Sequence, residues 1–357
     1  MKQIFILGRN PTLSREEIFA FLKSRNQEFK EILFRDNYLI LELSSLLKIQ
    51  GLGGTIRAGE VVFAGNTPNF KNFLKINEVI PSDKFSYTIF GDGNSEILKE
   101  KFKQERKKAV LKQGRKNLRI QEGDPIKISG SEYNLFLYNH NENIFFGELN
   151  EEYDYTELKK RDMEKPFRRE ELAISPRLAK ILINLSGAKE GEILLDPFCG
   201  VGAILLEGLS KNMNVIGIDK DRGAIENALK NVEWLSKNYL IKRKYTLLNQ
   251  DSGKINNLNF NAVATETPLG ELLKKKPSNE EAKKAIETFE RRIIPVLKRI
   301  SQIKKKEVKI AVTFPIIRSF KPDEKQIAEE CNLKIAVNPI IEFRPDQYIS
   351  REILVFC

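Results

Sequence analysis

The sequence predicts a two-part α/β chain, with an α+β region in the first half and a mostly parallel, seven-stranded sheet over 173–357. Three observations carry this. Short runs of Ile, Leu and Val alternate with amphipathic helical segments throughout the second half, as βαβ units require. The run EILLDPFCGVGAILL over 192–206 reads as a buried strand, a tight glycine loop and a helix start, and VIGID then ends on Asp219. In the first half, strands and helices come in mixed order with hairpins, which a regular βαβ series does not give.

Over 1–50 the pattern is a small α+β unit. A strand over 3–7 precedes a helix reaching Ser24, which a capping box of Ser14 and Glu17 would open. Asp36 and Asn37 turn a hairpin between 32 and 43. Over 51–150 the strands IRAGEVVFAG and KFSYTIFG lead to a long basic helix over 95–113 and further strands over 117–121, 135–140 and 144–149. Residues 151–172 are charged, contain Pro166 and lack a sustained apolar period, so they read as a linker.

Beyond the linker the elements are regular. Helices over 176–185, 203–209, 222–235, 280–300 and 324–330 alternate with strands over 193–195, 215–218, 245–248, 262–265 and 308–313. Two last strands, 334–343 and 352–356, have no helix between them, which implies an antiparallel pair at one edge of the sheet.

Composition narrows the function. A chain of 357 residues can bury two cores. Sixty Lys and Arg against 49 Asp and Glu leave a net charge of +11, which favours a polyanionic partner; a generally lysine-rich surface is the competing explanation. Three scattered cysteines and one histidine argue against a disulfide framework, a metal centre and a Ser-His-Asp triad. The first apolar stretch is four residues long and reads as a strand, and no run approaches a membrane span, so a reduced cytoplasmic protein without membrane attachment is expected.

The glycine loop separates two cofactor classes. A dinucleotide fingerprint places a third glycine where Leu205 stands, and Asp196 would repel a pyrophosphate. S-adenosyl-L-methionine carries an amino group and a sulfonium and no phosphate, so acidic strand ends suit it. Asp219 would hold the ribose, Asp251 the adenine amine, and Gly200 and Gly202 the methionine end. The candidate cofactor contacts are therefore Asp196, Pro197, Phe198, Gly200, Gly202, Asp219, Lys220, Gln250 and Asp251. Cys199 sits inside the loop, where packing as a small apolar residue competes with a role as nucleophile.

The fourth strand of the series ends in TETPLG, over 265–270. Glu266, Thr267 and Pro268 are the candidate catalytic residues: a carboxylate and a carbonyl pinned before proline can hold an amine in line with a methyl donor. Leu269 cannot stack on a base as a ring would. Candidate phosphate contacts are Lys103, Arg106, Lys107, Lys112, Arg115 and Lys116, with Lys274 and Lys275 beside the strand-four loop; a solvated basic surface is the plainer reading of each run.

RDMEKPFRRE (161–170), ISPRLAKILINLSG (174–187), DPFCGVGAILLEG (196–208) and QYISREI (347–353), with FILGRNPTLSREEI and GLGGTIRAGEV in the front half, together resemble the THUMP-containing tRNA guanine-N2 methyltransferases of the archaeal and eukaryotic guanosine-10 type. The resemblance covers nearly the whole chain. It implies a ferredoxin-like unit over 1–50, a THUMP module over 51–150 gripping tRNA, and a class I, Rossmann-like methyltransferase domain over 173–357 that uses S-adenosyl-L-methionine. It also raises a small activating subunit as a partner, as in eukaryotic relatives. That family carries Asp-Pro-Pro-Tyr where this chain has Glu266-Thr267-Pro268-Leu269. Two other readings therefore stand beside it: a cofactor- and RNA-binding protein with little or no transfer, and an amino methyltransferase for ribosomal RNA or DNA.

Overall fold

The computed structural model describes residues 1–112, 130–168, 174–268, 276–343 and 347–357. The chain divides into two compact units. One holds residues 1–15, 27–50 and 54–155, and the other holds 16–26, 51–53 and 156–357.

The first unit is built on one mixed sheet. Its elements run β1 (Lys2–Leu7), α1 (Pro11–Ser24), β2 (Phe29–Arg35), β3 (Tyr38–Leu43), β4 (Thr55–Asn66), α2 (Thr67–Ile76), β5 (Lys84–Phe90), α3 (Glu96–Gln104), β6 (Lys108–Leu111), β7 (Tyr133–His140) and β8 (Asn143–Glu152), with the second half of α1 grouping with the other unit. The strand order is β2-β3-β1-β4-β8-β7-β5-β6. Because β1 pairs with β4, the expected division between 1–50 and 51–150 is bridged by backbone hydrogen bonds. Ile4, Ile6, Ile40, Ile56 and Phe136 fill one part of its core, and Phe70, Tyr87, Phe102 and Phe146 another.

Four local expectations change. α1 opens at Pro11, with the Asn10 side chain accepting from the Leu13 amide at 3.1 Å, so the Ser14–Glu17 capping box does not form. An Asn cap followed by proline in the first turn is the stronger start signal, and Ser14 instead donates to the Asn10 carbonyl. The same logic places the unforeseen α2, where Asn66 accepts from the Asn69 amide ahead of Pro68. The long basic helix stops at Gln104, and Arg106 turns with φ +58° into β6, which pairs in parallel with β5. Strand pairing outweighs the helix propensity of the lysines there. Finally, the linker contains α4 (Tyr155–Glu164), anchored by buried Leu158. The strand expected over 117–121 lies outside the described residues.

The second unit follows the expected series closely. Its elements are α5 (Pro176–Leu185), β9 (Ile193–Asp196), α6 (Ala203–Ser210), β10 (Asn214–Asp219), α7 (Arg222–Tyr239), β11 (Tyr245–Asn249), β12 (Ala262–Glu266), α8 (Asn279–Ile303), β13 (Ile310–Ile317), α9 (Glu324–Glu330), β14 (Ile335–Glu342) and β15 (Ile349–Phe356). The order is β11-β10-β9-β12-β13-β15-β14. The first five strands are parallel, and β15 runs antiparallel to both neighbours. Leu195, Ile218, Val263, Val312, Phe314 and Leu354 form its core with Phe289, Ile293 and Leu297 of α8. No helix among the described residues is long and apolar enough to cross a membrane.

A buried polar knot ties early segments into this unit. Glu17 is fully buried and accepts from the Gly53 amide and from Asn184 Nδ2, each at 2.6 Å. Lys211 Nζ donates to the Gly51 carbonyl at 2.7 Å. Burial lowers the pKa of Lys180 and, joined by the neighbouring Lys180 charge, brings that of Lys211 down to about 7.

Removing the Glu17 carboxylate leaves buried donors unpaired. Glu17→Ala should therefore cost about 1–3 kcal/mol of stability, read from the shift of the urea unfolding midpoint, and a shift near zero would show that the knot carries no net stabilisation.

Candidate active site

Parallel pairing of β11, β10, β9 and β12 brings their carboxyl ends to one edge of the sheet. Asp196, Asp219, Asn249 to Asp251 and Glu266 all stand there. This is the edge at which open α/β sheets bind ligands.

The loop after β9 is held from several directions. Gly200 and Gly202 have φ of +51° and +90°, conformations that glycine adopts without penalty. The Cys199 amide donates to the Ile218 carbonyl at 3.0 Å, and the Gly200 amide donates to Asp219 Oδ2 at 3.0 Å. Asp219 Oδ1 accepts from the Asp221 amide at 2.9 Å. Its Oδ2 thus braces the glycine loop and its Oδ1 the turn into α7, and each oxygen keeps a lone pair for a ribose hydroxyl. The Pro197 carbonyl accepts from Ser252 Oγ at 2.5 Å, and Phe198 packs against the core. Lys220, Gln250 and Asp251 are exposed around the pocket edge; Asp251 caps a short 3₁₀ turn, Ser252–Lys254, by accepting from the Gly253 amide at 2.9 Å.

Asp196 is only 1% exposed. Its Oδ1 accepts from the Phe198 amide at 3.1 Å and from Thr265 Oγ1 at 2.6 Å, so it fixes the loop from beneath. Burial is the main cause that pushes its pKa up to about 7; the Thr265 and Phe198 hydrogen bonds oppose this, and the charges of Asp219 and Glu266 add to it. Burial together with the charges of Asp196 and Asp219 pushes the Cys199 thiol far above its ordinary range, which disfavours the thiolate a nucleophile needs.

The strand-four segment is supported residue by residue. Thr265 binds Asp196, as above. Glu266 Oε1 accepts from Arg351 Nε at 2.6 Å. Thr267 donates its amide to Thr313 Oγ1 at 3.3 Å and its hydroxyl to the Thr313 carbonyl at 2.5 Å. A proline at 267 could make neither bond. Pro268 is exposed beside them, and Leu269 and Gly270 lie outside the described residues.

Thr265, Thr313 and Arg351 had drawn no role from sequence. Arg351 carried a readable signal: an arginine in the apolar strand SREILVF needs an acidic partner if buried, and an antiparallel last strand starts at the edge where parallel strands end.

The basic set is dispersed. Lys103 lies on α3 and Arg106 in the turn after it, and with Lys99, Lys107, Tyr87 and Phe102 they border a cavity of about 520 Å³. Lys107 departs from the expected phosphate contact, because its side chain is 4% exposed and its ammonium binds Glu78 at 2.8 Å and the Ile80 carbonyl. Lys112 Nζ donates to the Gly130 carbonyl. Arg115, Lys116, Lys274 and Lys275 lie outside the described residues.

Residues 166–299 match the family model described as RMKL-like, methyltransferase domain, and residues 8–230 match the N6/N4 methyltransferase model described as DNA methylase. The tRNA (guanine(10)-N2)-dimethyltransferase of Methanothermobacter thermautotrophicus is 43% identical over 61 residues, which are 17% of this chain and 18% of that protein. The Methanocaldococcus jannaschii protein of the same description is 35% identical over 120 residues, 32% of this chain and 33% of that one. The chain thus spans about a third or less of the length of these curated relatives. The crystal structure of TrmN from Thermus thermophilus aligns with 100% of this chain and 99% of its own at a TM-score of 0.56 and 12% identity, a likeness of fold. The second unit has the class I methyltransferase fold.

The raised Asp196 pKa sets a pH dependence. From the unfolded value near 3.8 up to about 7, the native state keeps a proton that the unfolded chain has released. The stability of the native protein should therefore fall as pH rises through that window, whereas Asp196→Asn should show a flatter profile. Urea unfolding of both proteins from about pH 5 to about pH 8 checks this, and parallel profiles would mean that Asp196 is ionised throughout.

Proposed function

The chain belongs to the N6/N4 methylase family, and from that premise we propose that it is an S-adenosyl-L-methionine-dependent tRNA methyltransferase acting on the exocyclic N2 amine of a guanosine, of the position-10 type. The observation that carries the reading is the placement of Glu266 at the sheet edge of the glycine loop, held by buried Arg351. The two relatives described as tRNA (guanine(10)-N2)-dimethyltransferases support the choice of acceptor.

When bound, the cofactor supplies a methyl group on a sulfonium and leaves as a thioether. Asp219 and Asp251 would hold its ribose and adenine, and the Gly200–Gly202 backbone its methionine end. The crowded carboxylates of Asp196, Asp219 and Glu266 favour a cationic ligand over a phosphate. Glu266 would accept a hydrogen bond from the target amine and, as the new N–C bond forms, take its proton directly or through water. The Thr267 carbonyl before Pro268 would accept the second amine hydrogen. Alignment and exclusion of water supply most of the rate.

The remaining assignments are part of the same proposal. The first unit acts as the ferredoxin-like and THUMP region, with tRNA phosphates on Lys103 and Arg106. The protein works in the cytoplasm, and a small activating subunit is a partner to test for. Because the first sheet bridges the division between 1–50 and 51–150, residues 1–15, 27–50 and 54–155 would handle RNA as one unit.

Incubating the full chain with labelled cofactor and unmodified tRNA should yield N2-methylated guanosine on nucleoside analysis. Ribosomal RNA fragments and duplex DNA are the comparison substrates, and label appearing only in DNA would overturn the tRNA reading. Glu266→Ala should lower incorporation by at least about 100-fold while cofactor affinity changes little; undiminished transfer would remove Glu266 from the chemistry.

A further inference from the structure

β15 begins at the sheet edge where β12 and β13 end, and its residue Arg351 lies opposite Pro315 of β13, two positions past Thr313, the residue paired with Glu266. The Arg351 side chain is 1% exposed. Nε donates to Glu266 Oε1 at 2.6 Å and Nη1 donates to Gln347 Oε1 at 3.3 Å. Nη2 is buried and, among the described residues, has no hydrogen-bond partner.

That orphan donor has a defined direction. In a guanidinium the Nε–H and one Nη2–H bond leave the same edge in parallel, which is why arginine so often binds a carboxylate at two points. Here Nε donates to Glu266 and Nη2 makes no hydrogen bond among the described residues, so Nη2 offers a hydrogen beside that carboxylate and along the same direction. Buried donors in native proteins are almost always satisfied, and one left open at a ligand edge points to a ligand acceptor. Together the two side chains present an acceptor and a donor side by side.

The matching partner is an amine attached next to an unprotonated ring nitrogen. On guanine, N2 has N1–H on one side and N3 on the other. N1–H is a donor and would oppose Nη2, whereas N3 is an acceptor. We infer that Arg351 is a specificity-determining residue, whose Nη2 donates to N3 of the target guanine while Glu266 holds the neighbouring N2 amine. This rests on the guanine-N2 reading above. It adds a demand that the reading alone does not make: the acceptor is recognised through its N3 side.

The test pairs side-chain and atomic substitutions. Full-length native protein, Arg351→Met and Arg351→Lys are given tRNA carrying guanosine or 3-deazaguanosine at the target, a change that replaces only N3 by C–H. Native protein should methylate the 3-deaza tRNA at least about tenfold more slowly, because a donor built for an acceptor is left unpaired. Arg351→Met should be slow on both and lose the preference. Arg351→Lys keeps the positive charge beside Glu266 but lacks the fork, so it too should lose the preference while binding cofactor. Cofactor titration and thermal unfolding of each variant identify those that are folded, and the lysine variant keeps the test decisive where the methionine variant does not fold. Equal rates of native protein on the two tRNAs, or a tenfold preference surviving in a folded Arg351 variant, would overturn the inference. Transfer by native protein to another base, with none to guanosine N2, would instead overturn the guanine-N2 reading and the inference with it.

Discussion

Three carboxylates are brought to one end of a parallel sheet, and the rest of the site is arranged around keeping them there. Asp196 is buried and faces the charges of Asp219 and Glu266, two effects that both oppose its ionisation. Each carboxylate is stabilised in its own way. Asp196 takes a hydroxyl and a backbone amide, Asp219 takes two backbone amides, and Glu266 takes a guanidinium. The left-handed glycines serve this arrangement, since the loop path they allow turns the Gly200 amide toward Asp219. The fold thus stores a local excess of negative charge that a sulfonium and an ammonium can relieve.

The same constraint bears on the segment at the end of β12. A glutamate reaches one methylene further than an aspartate, and in this chain that longer acid meets Arg351 from another strand. Thr267 uses an amide that a proline would lack, donating it to Thr313.

How much of this was legible depended on where the determining contacts lie. α5 and α9 start and stop where their sequence signals put them, because a Ser175-Pro176 cap and an Asp323 cap are local. Strands β9, β10 and β12 are buried on both faces, so their runs of Ile, Leu, Val and Ala announced them. α4 shows only one buried apolar residue, Leu158, and its sequence therefore resembled a connector. β6 owes its form to pairing with β5, a partner about twenty residues away that no local pattern reveals. At the site, loop residues could be read from glycine spacing and acid position. The role of Thr313 could not, since it exists only once the strand order brings β13 beside β12, and Arg351 announced its need for an acid without revealing that the acid is Glu266.

The Glu17 knot bears on how the chain is made. The segment 16–26 leaves the ribosome early, yet its buried carboxylate finds Asn184 only 167 residues later. The first-made segment of the second unit therefore completes its buried contacts only after α5 is made, so all of the first unit is synthesised before this knot can close.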